Sequence, residues 1–356
     1  GLTIGGAEKV VIDLAEQLSS KGNQIKIVYL KGEPKILPLN KEIEVLGLGL
    51  DNPIMLLSSL KKFGRILESF RPDVVHANMF HANIFSRIVR IFYPIKFLIS
   101  SLHNSSEKGI LRPYIYKLTN FLSNVNTNVS EEACLAYKNI FKGHEFFSIY
   151  NGIDVERFRY SATSRNDIRS QYDIKADDFL ILCVGRLNKQ KDYPNLIKAI
   201  NLLPEKESLK IFIVGEGEEK EHIESLIFHY KLSSKIKLLG VRSDIPALMS
   251  ACDVFVLPSA WEGFGLVVAE AMSCEKIVIA TNSGGVKEVI GKNNFLINPQ
   301  DHKSLSDSIL EVMNMDSVTK HKFGKLNREF IVNNFSFDSM VENWIKVYKK
   351  SGRVNN

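Results

Sequence analysis

Trp261-Glu262-Gly263-Phe264-Gly265-Leu266-Val267-Val268-Ala269-Glu270 is the stretch on which the reading of this 356-residue chain turns. It sets a glycine-flanked acid, Glu262, at the mouth of a helix. A second acid, Glu270, follows eight residues later in a run that is otherwise apolar from Leu266 to Met272. A helical rise of about 1.5 Å per residue would separate the two acids by about 12 Å. Two carboxylates flanking one glycosidic bond sit closer, roughly 5–9.5 Å apart. The longer span is about that of a nucleotide sugar, from hexose hydroxyls to ribose hydroxyls, and a helix N-terminus between the acids would aim N–H groups at a diphosphate. The plainer alternative is a loop acid and an exposed helix acid. Against it, Leu266, Val267, Val268, Ala269, Ala271 and Met272 leave little polar face, so the helix reads as buried. A buried carboxylate without partners is costly.

Outward from this stretch, short apolar runs alternate with helical ones. Strands are expected at 25–30, 73–76, 96–101, 124–128 and 146–150, then at 180–184, 210–214, 236–239, 254–257 and 277–280. Helices are expected at 7–20, 56–70, 193–202, 218–230, 245–250, 266–274 and 337–350. Continuous apolar strands alternating with helices imply α/β architecture with parallel sheets covered on both faces. Two such blocks meet near Asn151–Tyr160, which reads as a linker. Candidate residues fall just after strands, where open α/β sheets hold their sites.

The bulk properties agree with a two-domain globular protein. Hydrophobic residues make up 45% and charged residues 24%, ordinary values that exclude a disordered or fibrous chain. The longest apolar run, Ile91 to Leu102, is broken by Pro94 and Lys96 and is too short to span a bilayer. No signal-peptide pattern opens the chain. Cys134, Cys183, Cys252 and Cys274 have no metal or pairing spacing; three lie in apolar segments and read as buried thiols in a reducing, cytoplasmic setting. Residues 1–150 hold 18 Lys and Arg against 13 Asp and Glu, so the net charge of +6 is concentrated there. A basic N-terminal half suits an anionic membrane surface, peripheral on the inner face of the plasma membrane, or a diphosphate-bearing acceptor; a solvated surface is the plain alternative. No basic stripe or motif points to nucleic acid.

Several segments now combine. Glu262 and Glu270 form an E-x7-E pair. In order along the chain come Gly5-Gly6-Ala7-Glu8, Asn151-Gly152-Ile153-Asp154, Val184-Gly185-Arg186-Leu187 with Lys191, and Val214-Gly215-Glu216-Gly217. Ala251-Cys252-Asp253-Val254-Phe255-Val256-Leu257-Pro258-Ser259 and Ser283-Gly284-Gly285-Val286-Lys287-Glu288 complete the set. Together they resemble the retaining glycosyltransferases of family 4, and among them bacterial enzymes of O-antigen and capsular polysaccharide synthesis. The likeness covers essentially the whole chain and is densest from Asn151 to Glu288.

The resemblance implies a GT-B fold, two Rossmann-like domains with parallel sheets facing across a cleft. An acceptor-binding domain would span residues 1–152, a donor-binding domain 153–335, and a C-terminal helix, 336–356, would return to the first domain. It assigns Arg186 and Lys191 to the donor diphosphate, Glu262 to hydroxyls of the transferred sugar, and Glu270 to the ribose. Backbone of Gly263, Phe264, Gly265 and Leu266 would lie near the sugar or phosphate. Gly215, Gly217 and Val241 would shape the nucleoside pocket, and Gly185 would bind the donor beside Arg186. Gly5 and Gly6 would approach donor phosphate or acceptor, and His103 would lie in the cleft near the sugar. Each has a plain alternative as an ordinary loop or strand-end residue; His76, His81, Asp253 and Glu288 read as structural. The implied activity is retaining, front-face transfer of a hexose or N-acetylhexosamine from a nucleotide sugar to a growing, polyprenyl-diphosphate-linked surface glycan. Family frequency favours a UDP-sugar, with GDP-mannose second. No cofactor and no metal is expected, since the chain has no Asp-x-Asp motif and no clustered His or Cys.

Relatives usually begin with a strand directly before the glycine-rich loop. Here the sequence opens Gly1-Leu2-Thr3-Ile4-Gly5-Gly6 without one, so the expectation is a trimmed first strand. Other readings are a sugar-nucleotide epimerase on the same fold and a non-catalytic nucleotide-sugar-binding module. A dinucleotide oxidoreductase is disfavoured, because Gly215-x-Gly217 lacks the third glycine and the downstream acid.

Overall fold

The computed structural model describes residues 1–3, 5–103, 111–204 and 208–352. Ile4, Asn104 and the last four residues of the expected C-terminal segment lie outside them. The chain divides into two compact units, Gly1–Gly152 with Phe337–Asn356, and Ile153–Ser336.

The N-terminal unit runs α1 (Gly6–Ser20), β1 (Lys26–Tyr29), β2 (Glu44–Gly47), α2 (Leu56–Phe70), β3 (Val75–Asn78), α3 (Met79–Phe92), β4 (Leu98–Ser101), α4 (Leu111–Thr119), β5 (Val125–Asn128), α5 (Glu131–Tyr137) and β6 (Phe146–Ser148). All its pairings are parallel, in a two-stranded sheet β1-β2 and a four-stranded sheet β3-β4-β5-β6. The two sheets share apolar cores. Val28 and Leu30 pack with Val75, Ala77 and Leu98, while Ile25 packs with Val74, Phe97 and Ile99. Among the described residues no strand precedes α1.

The C-terminal unit runs α6 (Ala162–Gln171), β7 (Phe179–Val184), α7 (Tyr193–Leu202), β8 (Leu209–Val214), α8 (Lys220–His229), β9 (Ile236–Leu238), α9 (Ile245–Ala251), β10 (Val254–Leu257), α10 (Leu266–Ser273), β11 (Ile277–Thr281), α11 (Val286–Val289), β12 (Phe295–Ile297), α12 (His302–Asn314) and α13 (Ser317–Phe335). Its strands form one parallel sheet in the order β12-β11-β10-β7-β8-β9. The runs in β7, β10 and β11 are apolar on both faces because helices cover both, and β10 and β11 are buried throughout. Strand order reverses between β7 and β10. From β7 the chain goes through α7 to β8 on one side; from β10 it goes through α10 to β11 on the other. Loops leaving in opposite directions open a crevice at the carboxyl ends of these two strands.

Helix α14 (Phe337–Tyr348) packs on the N-terminal unit, with Met340, Val341, Trp344, Val347 and Tyr348 against Leu14, Leu18, Ile99 and Val125. Ser336 stays with the C-terminal unit through a bridge to Ile153, one residue later than the expected boundary. Asp253 is structural. It pairs with Arg165 and Arg169 at 2.7 and 3.3 Å and accepts the Leu180 N–H at 2.8 Å. Cys183, Cys252 and Cys274 are buried free thiols, and burial pushes the Cys252 thiol up to about 12. The strand expected at 73–76 lies at Val75–Asn78, which brings Asn78 into the sheet.

Candidate active site

At the end of β7 the loop from Gly185 to Lys191 turns back over its own strand. Lys191 N–H donates to the Asn188 carbonyl and side chain, at 3.1 and 3.2 Å. The lysine stem crosses Gly185 so closely that a Cβ there would lie 2.8 Å from Lys191 Cε. After β10, the loop carrying Glu262 runs alongside, tied on by Ala260 N–H to the Gln190 carbonyl at 2.8 Å. The two loops meet in one ion pair: Lys191 Nζ lies 2.5 Å from Glu262 Oε1, with the side chains 14% and 7% exposed. Ser259 Oγ donates to the same oxygen at 2.7 Å, and Thr281 Oγ1 donates to the Ser259 carbonyl at 2.5 Å. Beneath them Tyr193 is buried, its hydroxyl donating to the Gly185 carbonyl at 3.1 Å, and burial raises its pKa well above the ordinary range.

Glycine lets the backbones close around this pair. Gly284, at φ +55°, sits where a Cβ would come within 2.0 Å of the Glu262 carbonyl, and Gly285 N–H donates to the Gly263 carbonyl at 2.9 Å. Gly265 takes φ +80° to start α10, whose first turn no side chain caps among the described residues. That corrects the spacing argument: 262–265 is a turn, and only the interval from Leu266 to Glu270 is helical. The Phe264 ring is buried against Phe335, 5.8 Å between centroids. Glu270 is half-buried in the second turn of α10.

On the other flank of β7, Gly215 approaches Gly185 so closely that a Cβ would lie 2.0 Å from its carbonyl oxygen. A Cβ on Gly217 would lie 2.2 Å from the Leu187 carbonyl. Gly215 N–H donates to the Gly240 carbonyl at 2.9 Å, and Val241 beyond it is 78% exposed. Thus Gly185, Lys191, Gly215, Gly217, Glu262, Gly263 and Gly265 come together on the loops at the carboxyl ends of β7, β8 and β10, with exposed Arg186 at the strand end.

Gly5, Gly6 and His103 belong to the N-terminal unit. Gly5 caps α1 with ordinary extended backbone, and the Glu8 carboxylate folds over it, accepting the Thr3 hydroxyl at 2.9 Å. The N-terminus of α1 therefore already carries an acid. His103 lines a small cavity with His76, Asn78, Ser101, Thr127 and Trp344. Its Nε2 lies 2.9 Å from Asn78 Oδ1, and Asn78 Nδ2 donates to the His76 carbonyl at 3.3 Å. This orients the amide so that Nε2 of His103 carries the proton and Nδ1 is the ring's acceptor. His76 is held between the Tyr348 hydroxyl, 2.9 Å, and Ser101 Oγ, 2.7 Å. Burial lowers His76 to about 3 and His103 to about 4, so both rings are neutral at pH 7.

Asn78, Ser259 and Tyr193 were not anticipated as site residues. Ser259 could have been found, since it precedes Glu262 by one turn's spacing; Asn78 and Tyr193 carry no motif. Among the described residues no three His, Cys, Asp or Glu side chains gather to hold a metal ion.

A two-unit chain of parallel Rossmann-like sheets, with glycine-rich loops, a lysine and an acid gathered at the reversal point, has the architecture of a GT-B glycosyltransferase. Residues 4–157 match the model of Glycosyltransferase Family 4 and residues 164–330 that of Glycosyl transferases group 1. The chain belongs to these glycosyltransferases. It is 29% identical over 312 residues to the Escherichia coli UDP-Gal:alpha-D-GlcNAc-diphosphoundecaprenol alpha-1,3-galactosyltransferase, covering 80% of this chain and 77% of that one. To the Campylobacter jejuni N-acetylgalactosamine-N,N'-diacetylbacillosaminyl-diphospho-undecaprenol 4-alpha-N-acetylgalactosaminyltransferase it is 28% identical, covering 83% and 74%. An uncharacterized glycosyltransferase of Methanocaldococcus jannaschii is 30% identical over 63% of this chain, a match spanning 58% of that relative's own length. The fold superposes on the crystal structure of Anabaena HepE in complex with UDP with a TM-score of 0.88, at 23% identity and 98% coverage of both chains.

Proposed function

We propose that this chain transfers a hexose or N-acetylhexosamine, with retention of anomeric configuration, from a UDP-sugar to a polyprenyl-diphosphate-linked glycan. The observation that carries the reading is the Lys191–Glu262 pair on the glycine-rich loops at the strand reversal. The relatives whose names specify diphospho-undecaprenol acceptors and the UDP-bound neighbour support the acceptor and donor classes.

In this reading the C-terminal unit binds the donor and the N-terminal unit the acceptor. Glu262, with Oε1 held by Lys191 and Ser259, accepts hydroxyls of the transferred sugar. An ammonium has three donors, so Lys191 can bridge Glu262 and a phosphate oxygen. As the sugar–phosphate bond breaks, Lys191 and Arg186 stabilise the departing diphosphate, at about 1.5–3 kcal/mol for each charge-assisted bond. The acceptor hydroxyl forms the new bond on the face the diphosphate leaves, and its proton passes to a phosphate oxygen of the leaving group. The uncapped first turn of α10 faces phosphate, and Glu270 binds the ribose. These cations take the part a divalent ion plays elsewhere, so transfer proceeds without metal. With a lipid-borne acceptor, the enzyme works on the inner face of the plasma membrane.

Proton NMR of the product formed from an α-linked UDP-sugar and a short-chain polyprenyl-diphosphate disaccharide tests this. The expected product is α-linked, formed equally well with excess chelator. A β-linked product overturns retention, and loss of transfer with chelator that a divalent ion restores overturns metal independence.

A further inference from the structure

Helix α4 has two unlike faces. One is locked to the N-terminal unit. Tyr116 is fully buried, and the buried guanidinium of Arg87 donates to the Tyr116 carbonyl at 3.2 Å and to Thr119 Oγ1 at 2.9 Å. Arg112 stacks over the Phe80 ring at 4.7 Å. The other face is apolar and open: Leu111 is 70% exposed, Tyr114 61%, Leu118 74% and, on the following turn, Phe121 71%. Their spacing of three, four and three residues draws one stripe. Arg90 donates to the Leu122 carbonyl at 3.0 Å, which brings the end of α3, with Ile91 and Phe92 both exposed, against the turn that carries Phe121.

Lys117, exposed on α4, lies beside this stripe, and α4 carries no acid. The N-terminal half, residues 1–150, carries 18 Lys and Arg against 13 Asp and Glu, a balance of +5. Leucine, tyrosine and phenylalanine on one side of a helix, with a lysine beside them and no acid on it, match the boundary between anionic headgroups and acyl chains. At nine residues α4 is far too short to cross a bilayer and would lie in its plane. Two copies meeting face to face would oppose like charges, which disfavours self-association.

We infer that the outer face of α4, with the adjoining end of α3, is the surface by which this protein docks on an anionic lipid bilayer. It gives a place on the chain to the membrane-borne acceptor of the proposed function and rests on that reading for its purpose, though not for its physical argument. Leu111, Tyr114, Leu118 and Phe121 enter the interface while Lys117 meets lipid phosphate.

The test is flotation of the full chain with vesicles of phosphatidylcholine alone and of phosphatidylcholine with 30 mole per cent phosphatidylglycerol (a chosen composition of roughly that anionic content). Wild type should float with the anionic vesicles only, and less as salt rises. L118E/F121E should lower partition by about tenfold or more, since it removes apolar area and adds two anions. K117Q should lower it roughly fivefold. F228E, at a residue 79% exposed on α8 of the other unit, should change nothing. Unchanged melting and unchanged transfer to a water-soluble short-chain acceptor show that the variants are folded and that the transferase reading stands independently. The inference is overturned if wild type does not float, if the stripe variants float like wild type, or if L118E/F121E instead dissociates an oligomer while vesicle binding persists.

Discussion

Replacing Lys191 by methionine removes the cation from a pair in which the partner, Glu262, is 7% exposed. Stranding one charge of a buried pair costs about 3–5 kcal/mol. Ser259 keeps its hydrogen bond to the carboxylate, and Lys191 itself is 14% exposed, so the lower end, about 3 kcal/mol, applies. For a unit spanning Ile153–Ser336, where each kcal/mol moves Tm by about 2–4 °C, the calorimetric transition should fall by roughly 6–12 °C. K191M/E262Q removes the stranded charge and should recover most of that, with a coupling of about 1.5 kcal/mol or more between the sites. Catalysis separates from stability here. A charge-assisted bond to the leaving diphosphate, about 1.5–3 kcal/mol, corresponds to a 10- to 150-fold fall in kcat, roughly, which the second substitution should not restore. Turnover is read by product formation well below the lowered Tm. Near-normal turnover in K191M removes Lys191 from the mechanism. Turnover recovered in K191M/E262Q would mean that Lys191 serves only to neutralise Glu262.

Glu270→Ala should raise the donor Kd about tenfold or more with little change in Tm, by titration calorimetry; an unchanged Kd rejects the ribose role. Gly284→Ala, which puts a methyl 2.0 Å from the Glu262 carbonyl at φ +55°, should displace the Glu262 loop and lower both Tm and donor affinity. Wild-type affinity in that variant would show that the loop tolerates movement. His76 and His103 are held neutral by burial, at about 3 and about 4 against an ordinary 6.5, so the unfolded chain takes up protons first as pH falls. The stability tied to the neutral rings is complete above about pH 6.5 and is lost progressively toward pH 4. Tm of the N-terminal unit should therefore drop between pH 7 and pH 5, less steeply in His76→Asn; equal slopes would show that His76 is not buried neutral.

The long, sharply bounded elements were legible in the sequence. Helix α2 was expected at 56–70 and lies there, with Asn52-Pro53 before it and Arg71 in the left-handed region stopping it. The apolar runs of β7, β10 and β11 were equally plain, because strands covered on both faces need no alternation. Strands β2 and β12 escaped. Glu44–Gly47 is only partly buried, and Phe295–Ile297 is a three-residue edge whose pairing comes from β11. Helix α13 hides its periodicity, since Ser317–Phe335 mixes lysine and asparagine among its apolar positions; its cap, Asp316 accepting from Thr319, was the visible signal. Of the site, Glu262 and Lys191 lie 71 residues apart, and only the family resemblance named both. What no motif carried was contact made by tertiary placement: Tyr193 under Gly185, and Asn78 fixing the proton of His103.

In the proposed function the loops after β7 and β10 hold a nucleotide sugar without a metal. Thermal melting of the full chain against UDP, GDP, ADP and their sugars, in chelator, tests it most directly. A ligand at about 100 times its Kd should stabilise by roughly 2.7 kcal/mol, a shift of several degrees. UDP and a UDP-sugar should give that shift, and UDP should give none in a variant lacking both Arg186 and Lys191. No stabilisation by any nucleotide, or stabilisation that survives loss of both cations, would contradict it.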